Sequence, residues 1–229
     1  MNKMLYDKSK YTKGTQGLTR NKILYVEGGK SKFFYGEINE FKNVFFVING
    51  GNCGEITKKV QEDENSYGIV DGDYKKNMVP KIFQIDFYSI ENIAIHYIQD
   101  FKPFVKKLRD LFERNDISKC QYNIINFLLK KDEITKRPKE FDICLLDTKH
   151  DTQYFKYIST RILKFEDFLR YKDLKKPVEQ YEKFHKQMLG KSKIKYITDL
   201  INHIPENPIE HIFEENTQIK IKEIIAQSS

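Results

Sequence analysis

Acidic residues stand where short apolar runs end. Glu27 closes Lys22-Ile23-Leu24-Tyr25-Val26-Glu27 and is followed by Gly28-Gly29, and Asp71-Gly72-Asp73 closes Tyr67-Gly68-Ile69-Val70-Asp71. Glu91 follows the run Lys81-Ile82-Phe83-Gln84-Ile85-Asp86, just after Ser89-Ile90. Carboxylate oxygens are hard donors, and two carboxylates one residue apart in a turn can converge on one divalent cation. Taken singly, each has an ordinary explanation. A glutamate before Gly-Gly suits a surface turn, Asp-Gly-Asp is a good tight turn, and a glutamate in a helix's first turn is favoured by the macrodipole. Together they point further, because acids gathered at successive strand ends repel one another unless a cation neutralises them.

Other chemistries find less support. Gly29-Lys30-Ser31 follows a strand and precedes a helix, but a phosphate loop needs a glycine where this chain has Leu24. The helix start could still hold a single phosphate. His96, His150, His185, His203 and His211 form no pair at metal-ligand spacing, and no Gly-x-Ser-x-Gly elbow occurs. Cys53, Cys120 and Cys144 are odd in number and widely spaced, which excludes a disulfide framework and a zinc site.

The elements that must position the acids are legible in the same runs. Strands are expected at 22–27, 43–48, 67–71 and 81–86, with helices from Ser31 to Phe41, Cys53 to Asp63 and Ser89 to Gln99. Alternating strands and helices favour a mostly parallel sheet of four strands covered by helices on its faces, and the apolar strands agree with burial on both sides. The acids would then lie at the carboxyl ends of the strands, where open α/β sheets place their sites. After Pro103 helical periodicity dominates, at about 103–115, 118–131, 151–171, 177–190, 192–203 and 217–226. Phe141–Asp147 reads equally as a fifth strand or a helical turn. The division expected is a basic arm over 1–21, an α/β core over 22–100 and a helical region over 101–229.

Composition fits this picture. A chain of 229 residues with 39% hydrophobic, 32% charged and 14% aromatic residues is long enough to bury a core without staples. No run approaches a membrane span, and the start lacks the apolar stretch of a signal peptide, so a cytoplasmic protein with no membrane contact is expected. The net charge of +7 is uneven: residues 1–22 carry +5, 23–100 carry −4 and 101–229 carry +6. An acidic centre between basic flanks suits a cation site beside a bound polyanion, though lysine-rich composition alone also produces basic surfaces.

The stretches Val26-Glu27-Gly28-Gly29-Lys30-Ser31-Lys32-Phe33-Phe34-Tyr35, Gly68-Ile69-Val70-Asp71-Gly72-Asp73-Tyr74 and Tyr88-Ser89-Ile90-Glu91-Asn92 resemble the TOPRIM domain. More narrowly they resemble the small TOPRIM-like, OLD-type nucleases found beside ABC- or AAA-type ATPases, including effectors of anti-phage defence systems. The resemblance covers 22–100. It implies a TOPRIM-like sheet and a Mg²⁺- or Mn²⁺-dependent endonuclease acting on RNA such as tRNA, or on DNA. Glu27 matches the family's glutamate, which acts as acid or base, and Asp71 and Asp73 match its metal-holding Asp-x-Asp pair. Glu91 matches an acidic position that accompanies the fourth strand. Lys30, Lys32, Lys75 and Lys76 would contact the nucleic acid. Many TOPRIM-type nucleases carry an aspartate at the end of the first stretch, where this chain runs Ser31-Lys32. That departure leaves open a site with one metal, a contact of Lys32 with the scissile phosphate, or a module that binds a partner ATPase or nucleic acid without cutting. The resemblance also implies an ATPase partner, with a homodimer as a further possibility.

Overall fold

The computed structural model describes residues 22–74, 79–147, 154–189 and 199–228. The expected basic arm over 1–21 lies outside the described residues. Four strands, β1 (Lys22–Glu27), β2 (Phe45–Gly51), β3 (Ser66–Val70) and β4 (Ile82–Gln84), form an all-parallel sheet in the order β2-β1-β3-β4. From β1 the chain passes through α1 (Gly28–Glu37) and α2 (Asn39–Lys42) to β2 on one side, then through α3 (Cys53–Glu62) to β3 on the other. The chain therefore leaves β1 and β3 in opposite directions, and a crevice opens between their carboxyl ends.

The first strand matches its expected bounds because its apolar run is stopped by glycines, and α3 is sharply capped. Asn52 accepts from the Glu55 N–H and the Glu55 carboxylate accepts from the Asn52 N–H, a reciprocal box that satisfies two orphan donors. The single helix expected over 31–41 is instead two, broken at Ile38, whose extended backbone drops its side chain into the core. The two sheet faces are covered unequally. Leu24, Val26, Phe34 and Ile69 belong to a large core, whereas Ile56 and Val60 of α3 meet Val70 and Ile82 in a small one. Ile56 lies so close to the sheet that a Cβ on Gly50 or Gly68 would come within 2.6 Å of it. Phe46 stays 58% exposed, so β2 is not buried on both sides.

After β4 come α4 (Ile90–Tyr97), α5 (Lys102–Arg114) and α6 (Ile117–Tyr122). The helix expected over 118–131 is overturned there. Only 117–122 is helical, and β5 (Ile124–Lys131) pairs antiparallel with β6 (Pro138–Leu146), which also decides Phe141–Asp147 as strand. The reason is the partner strand: Ile125 and Phe127 of β5 and Phe141 and Ile143 of β6 are buried together on the core, an arrangement a helix over 118–131 would break. The helix expected over 151–171 is likewise two, α7 (Phe155–Arg161) and α8 (Phe165–Tyr171), because the Asp167 carboxylate accepts from the Leu163 and Lys164 N–H groups and starts a new helix. Next come α9 (Lys175–Met188), a short 3₁₀ turn at Leu200–Asn202, α10 (Pro208–Ile212) and α11 (Glu215–Ala226). Of the helix expected over 192–203, residues up to 198 lie outside the described residues.

The region after residue 100 is tied directly to the sheet's end. Asp86, just past β4, receives the Arg170 guanidinium at 2.7 Å and the Tyr171 hydroxyl at 2.9 Å, and its N–H donates to Ile212 O at 2.8 Å. Asn92 of α4, fully buried, donates to the carbonyls of Leu169 and Lys172 at 2.8 and 2.9 Å and accepts from the Ser89 hydroxyl. One continuous core includes Leu24 of β1, Phe104 of α5, Phe168 of α8 and Tyr181 of α9. Among the described residues, no helix is long and apolar enough to cross a membrane.

Candidate functional site

Glu27 and Asp71 meet in the crevice between β1 and β3. The backbone N–H of Asp71 donates to Glu27 Oε2 at 3.2 Å, which fixes the glutamate at the strand end beside the aspartate loop. Two backbone features hold this geometry. Gly28 has φ +79°, a left-handed conformation that lets the chain turn directly from Glu27 into α1. Gly72 lies so close to the segment after β4 that a Cβ there would fall 1.9 Å from Phe87 O. Gln84 of β4 donates to Asp71 O at 3.3 Å and Gly72 O at 2.6 Å, while the Asp73 N–H donates to Tyr88 O at 3.0 Å. Asp73 itself has φ +35°. The Asp71–Asp73 loop is thus clamped from its side chains' far side by the neighbouring strand and the segment that follows it.

The site contains a residue that the sequence reading missed. Lys175, the first residue of α9, places its Nζ 2.8 Å from Asp71 Oδ2 and 3.3 Å from Asp73 Oδ1, bridging the two aspartates. A cation at a helix N-terminus opposes the helix dipole, so its position there is explained by the acids it faces. Local bonds anchor it: Asp173 accepts from the Lys175 N–H and from the Tyr88 hydroxyl, the Tyr74 hydroxyl accepts from the Asp173 N–H, and the Lys175 ammonium lies 5.2 Å from the Tyr88 ring centre. The only sequence signal was a Lys-Lys-Pro start to a helix, which gives no hint of a partner a hundred positions earlier.

A second lysine holds the fourth acid. Lys30 Nζ is 3.3 Å from Glu91 Oε1 and 3.0 Å from Glu179 Oε1, linking α1, α4 and α9. Glu91 is only 6% exposed, so this cation offsets a carboxylate that would otherwise be buried without one. Lys30 thus lies among the acids and within ion pairs. Lys32 does not: it is exposed and lines a shallow depression with Phe33, Lys42 and Phe46, between α1 and β2. Lys75 and Lys76 lie outside the described residues.

Electrostatics follow from this crowding. Burial raises the Asp71 carboxyl from 3.8 to about 7, with Lys175 opposing the rise and Glu27 and Asp73 adding to it. Burial alone would lower the Lys175 ammonium, but Asp71 and then Asp73 and Glu91 outweigh it and raise it. Tyr35, buried beneath the same crevice, is pushed well above the usual phenol range by burial and by Asp71 and Glu27.

Among the described residues, no three His, Cys, Asp or Glu side chains are arranged to hold one ion as they stand. The donor chemistry nevertheless suits a hard divalent cation, since Glu27, Asp71 and Asp73 offer carboxylate oxygens and already draw a positive charge between two of them. Chemically, the arrangement offers an acid or base at Glu27, an aspartate pair for cation binding and two ammonium groups that suit an anionic substrate. No protein-family model, curated protein or solved structure matches this chain.

Proposed function

We propose that this chain is a metal-dependent endonuclease of TOPRIM type, cleaving phosphodiesters of RNA or DNA in the cytoplasm. The observation that carries the reading is the meeting of Glu27 with Asp71 at the crevice between β1 and β3. Glu27 holds or moves a proton on the attacking or leaving oxygen. Asp71 and Asp73 would hold a Mg²⁺ or Mn²⁺ ion, which when bound supplies charge stabilisation at the phosphate. Lys30 and Lys175 set the positive side of the crevice and orient an anionic backbone against it. Control by an ABC- or AAA-type ATPase subunit, or by a second copy of the chain, and a place in anti-phage defence belong to the same reading and rest on the family resemblance.

A second reading has one observation in its favour. Lys175 already neutralises Asp71 and Asp73, which suits a TOPRIM-like module that binds an ATPase or nucleic acid without cutting it. Incubating the purified protein with tRNA, single-stranded DNA and duplex DNA, with and without Mg²⁺ or Mn²⁺, separates the two. Metal-dependent cleavage that disappears in Glu27→Gln, Asp71→Asn and Asp73→Asn supports the nuclease. Binding without cleavage supports the module.

A further inference from the structure

We infer that the site takes one divalent cation, held by Glu27 and Asp71, and that Lys175 stands permanently as its second positive charge against Asp71 and Asp73. The inference rests on the nuclease reading and specifies how that site is charged. Its ground is the position of Lys175 Nζ, 2.8 Å from one aspartate and 3.3 Å from the other. An ammonium bridging two carboxylates occupies the place where a second metal ion would bridge them. Its other anchors make it costly to displace: α9 fixes its backbone through Asp173, and its ammonium lies against the Tyr88 ring.

Charge matching leads to the same count. With Glu27, Asp71, Asp73 and Glu91 all ionised, Lys30 and Lys175 leave the group two negative charges short of neutrality. One divalent cation closes that gap. A second would have to enter beside an ammonium, in a crevice where repulsion between like charges is weakly screened. Glu91 is not available to draw it in, because Lys30 pairs with Glu91 and is tied in turn to Glu179.

The test is a count of bound ions by Mn²⁺ titration, followed by calorimetry and by electron paramagnetic resonance of free Mn²⁺, on the full chain and on Lys175→Met and Lys175→Arg. The expected result is one ion per chain in the parent and in Lys175→Arg, and two in Lys175→Met. Thermal melts of each variant check folding, and the parent's count needs no variant at all. Two ions in the parent overturn the inference and leave the nuclease reading standing. One ion in the parent and one in a folded Lys175→Met, with affinities within threefold, overturn the role of Lys175. No ion in the parent overturns both the inference and the metal-dependent reading.

Discussion

Replacing Asp71 by asparagine tests the electrostatics of the crevice without reference to activity. The Asp71 side chain is 13% exposed, and burial, with Lys175 opposing and Glu27 and Asp73 reinforcing, raises its carboxyl from 3.8 to about 7. The folded protein therefore keeps a proton there that the unfolded chain has already released. Between those two values the native state binds more protons, so stability is greatest at low pH and is lost as pH rises through the folded value. At about 1.4 kcal/mol per tenfold change in proton affinity, the whole displacement is worth about 4 kcal/mol. About 3 kcal/mol of it falls between pH 5 and pH 8. Asparagine keeps the shape and removes the titration. Urea unfolding of the parent and Asp71→Asn, both in chelator, should show the parent losing about 3 kcal/mol relative to the variant across that range, with unchanged m-values. Asp86, also raised by burial and then countered by Arg170, is common to both proteins and cancels in the difference. Parallel stability curves, or a parent that gains on the variant as pH rises, would refute the reasoning. The second outcome would mean that the Lys175 pair outweighs the burial of Asp71.

Saturating Mg²⁺ or Mn²⁺ at about 100 times its dissociation constant should stabilise the parent by about 2.7 kcal/mol, read as a rise in melting temperature, and Asp71→Asn should abolish the rise. Equal shifts in both proteins would place the ion elsewhere. Gly72→Ala should destabilise the fold by at least about 2 kcal/mol in urea unfolding, because its Cβ would meet Phe87 O at 1.9 Å and force the aspartate loop off β4. Asn92→Leu should destabilise by about 3 kcal/mol, since it leaves the buried carbonyls of Leu169 and Lys172 without their donor. A loss under 1 kcal/mol in chemical denaturation would show that water or a backbone shift replaces it.

Much of the sheet was legible because its strands are punctuated. Gly28-Gly29 ends β1, and the Asn52–Glu55 box starts α3 within a residue of its expected position. The acids were legible for the same reason: Glu27 and Asp71 stand at strand ends, and adjacent parallel strands bring such ends together. The hairpin was not legible. Ile124 to Lys131 carries apolar residues that satisfy a helical spacing as well as a strand, and only pairing with Pro138–Leu146 decides between them. Lys175 was not legible either. Its role depends on packing α9 against α4 and the aspartate loop, a contact between segments a hundred residues apart that no local pattern encodes.

That last failure explains why the chain continues past its α/β core. Four parallel strands with α1 to α4 place Glu27, Asp71, Asp73 and Glu91 around one crevice, but leave them uncompensated except for Lys30. Asp71 would then be a buried carboxylate facing two like charges, the arrangement least able to stay ionised. The later region supplies what is lacking. Through α8 it satisfies Asn92 and clamps Asp86, and through α9 it delivers Lys175 to the aspartates and Glu179 to Lys30. Its apolar stripes do not wait for another chain to cover them, since Phe104, Phe168 and Tyr181 enter the same core as the sheet. Any movement of the N-terminal turn of α9 away from the crevice would withdraw Lys175 from both aspartates at once. The charge state of the acids is therefore coupled to the seating of that helix.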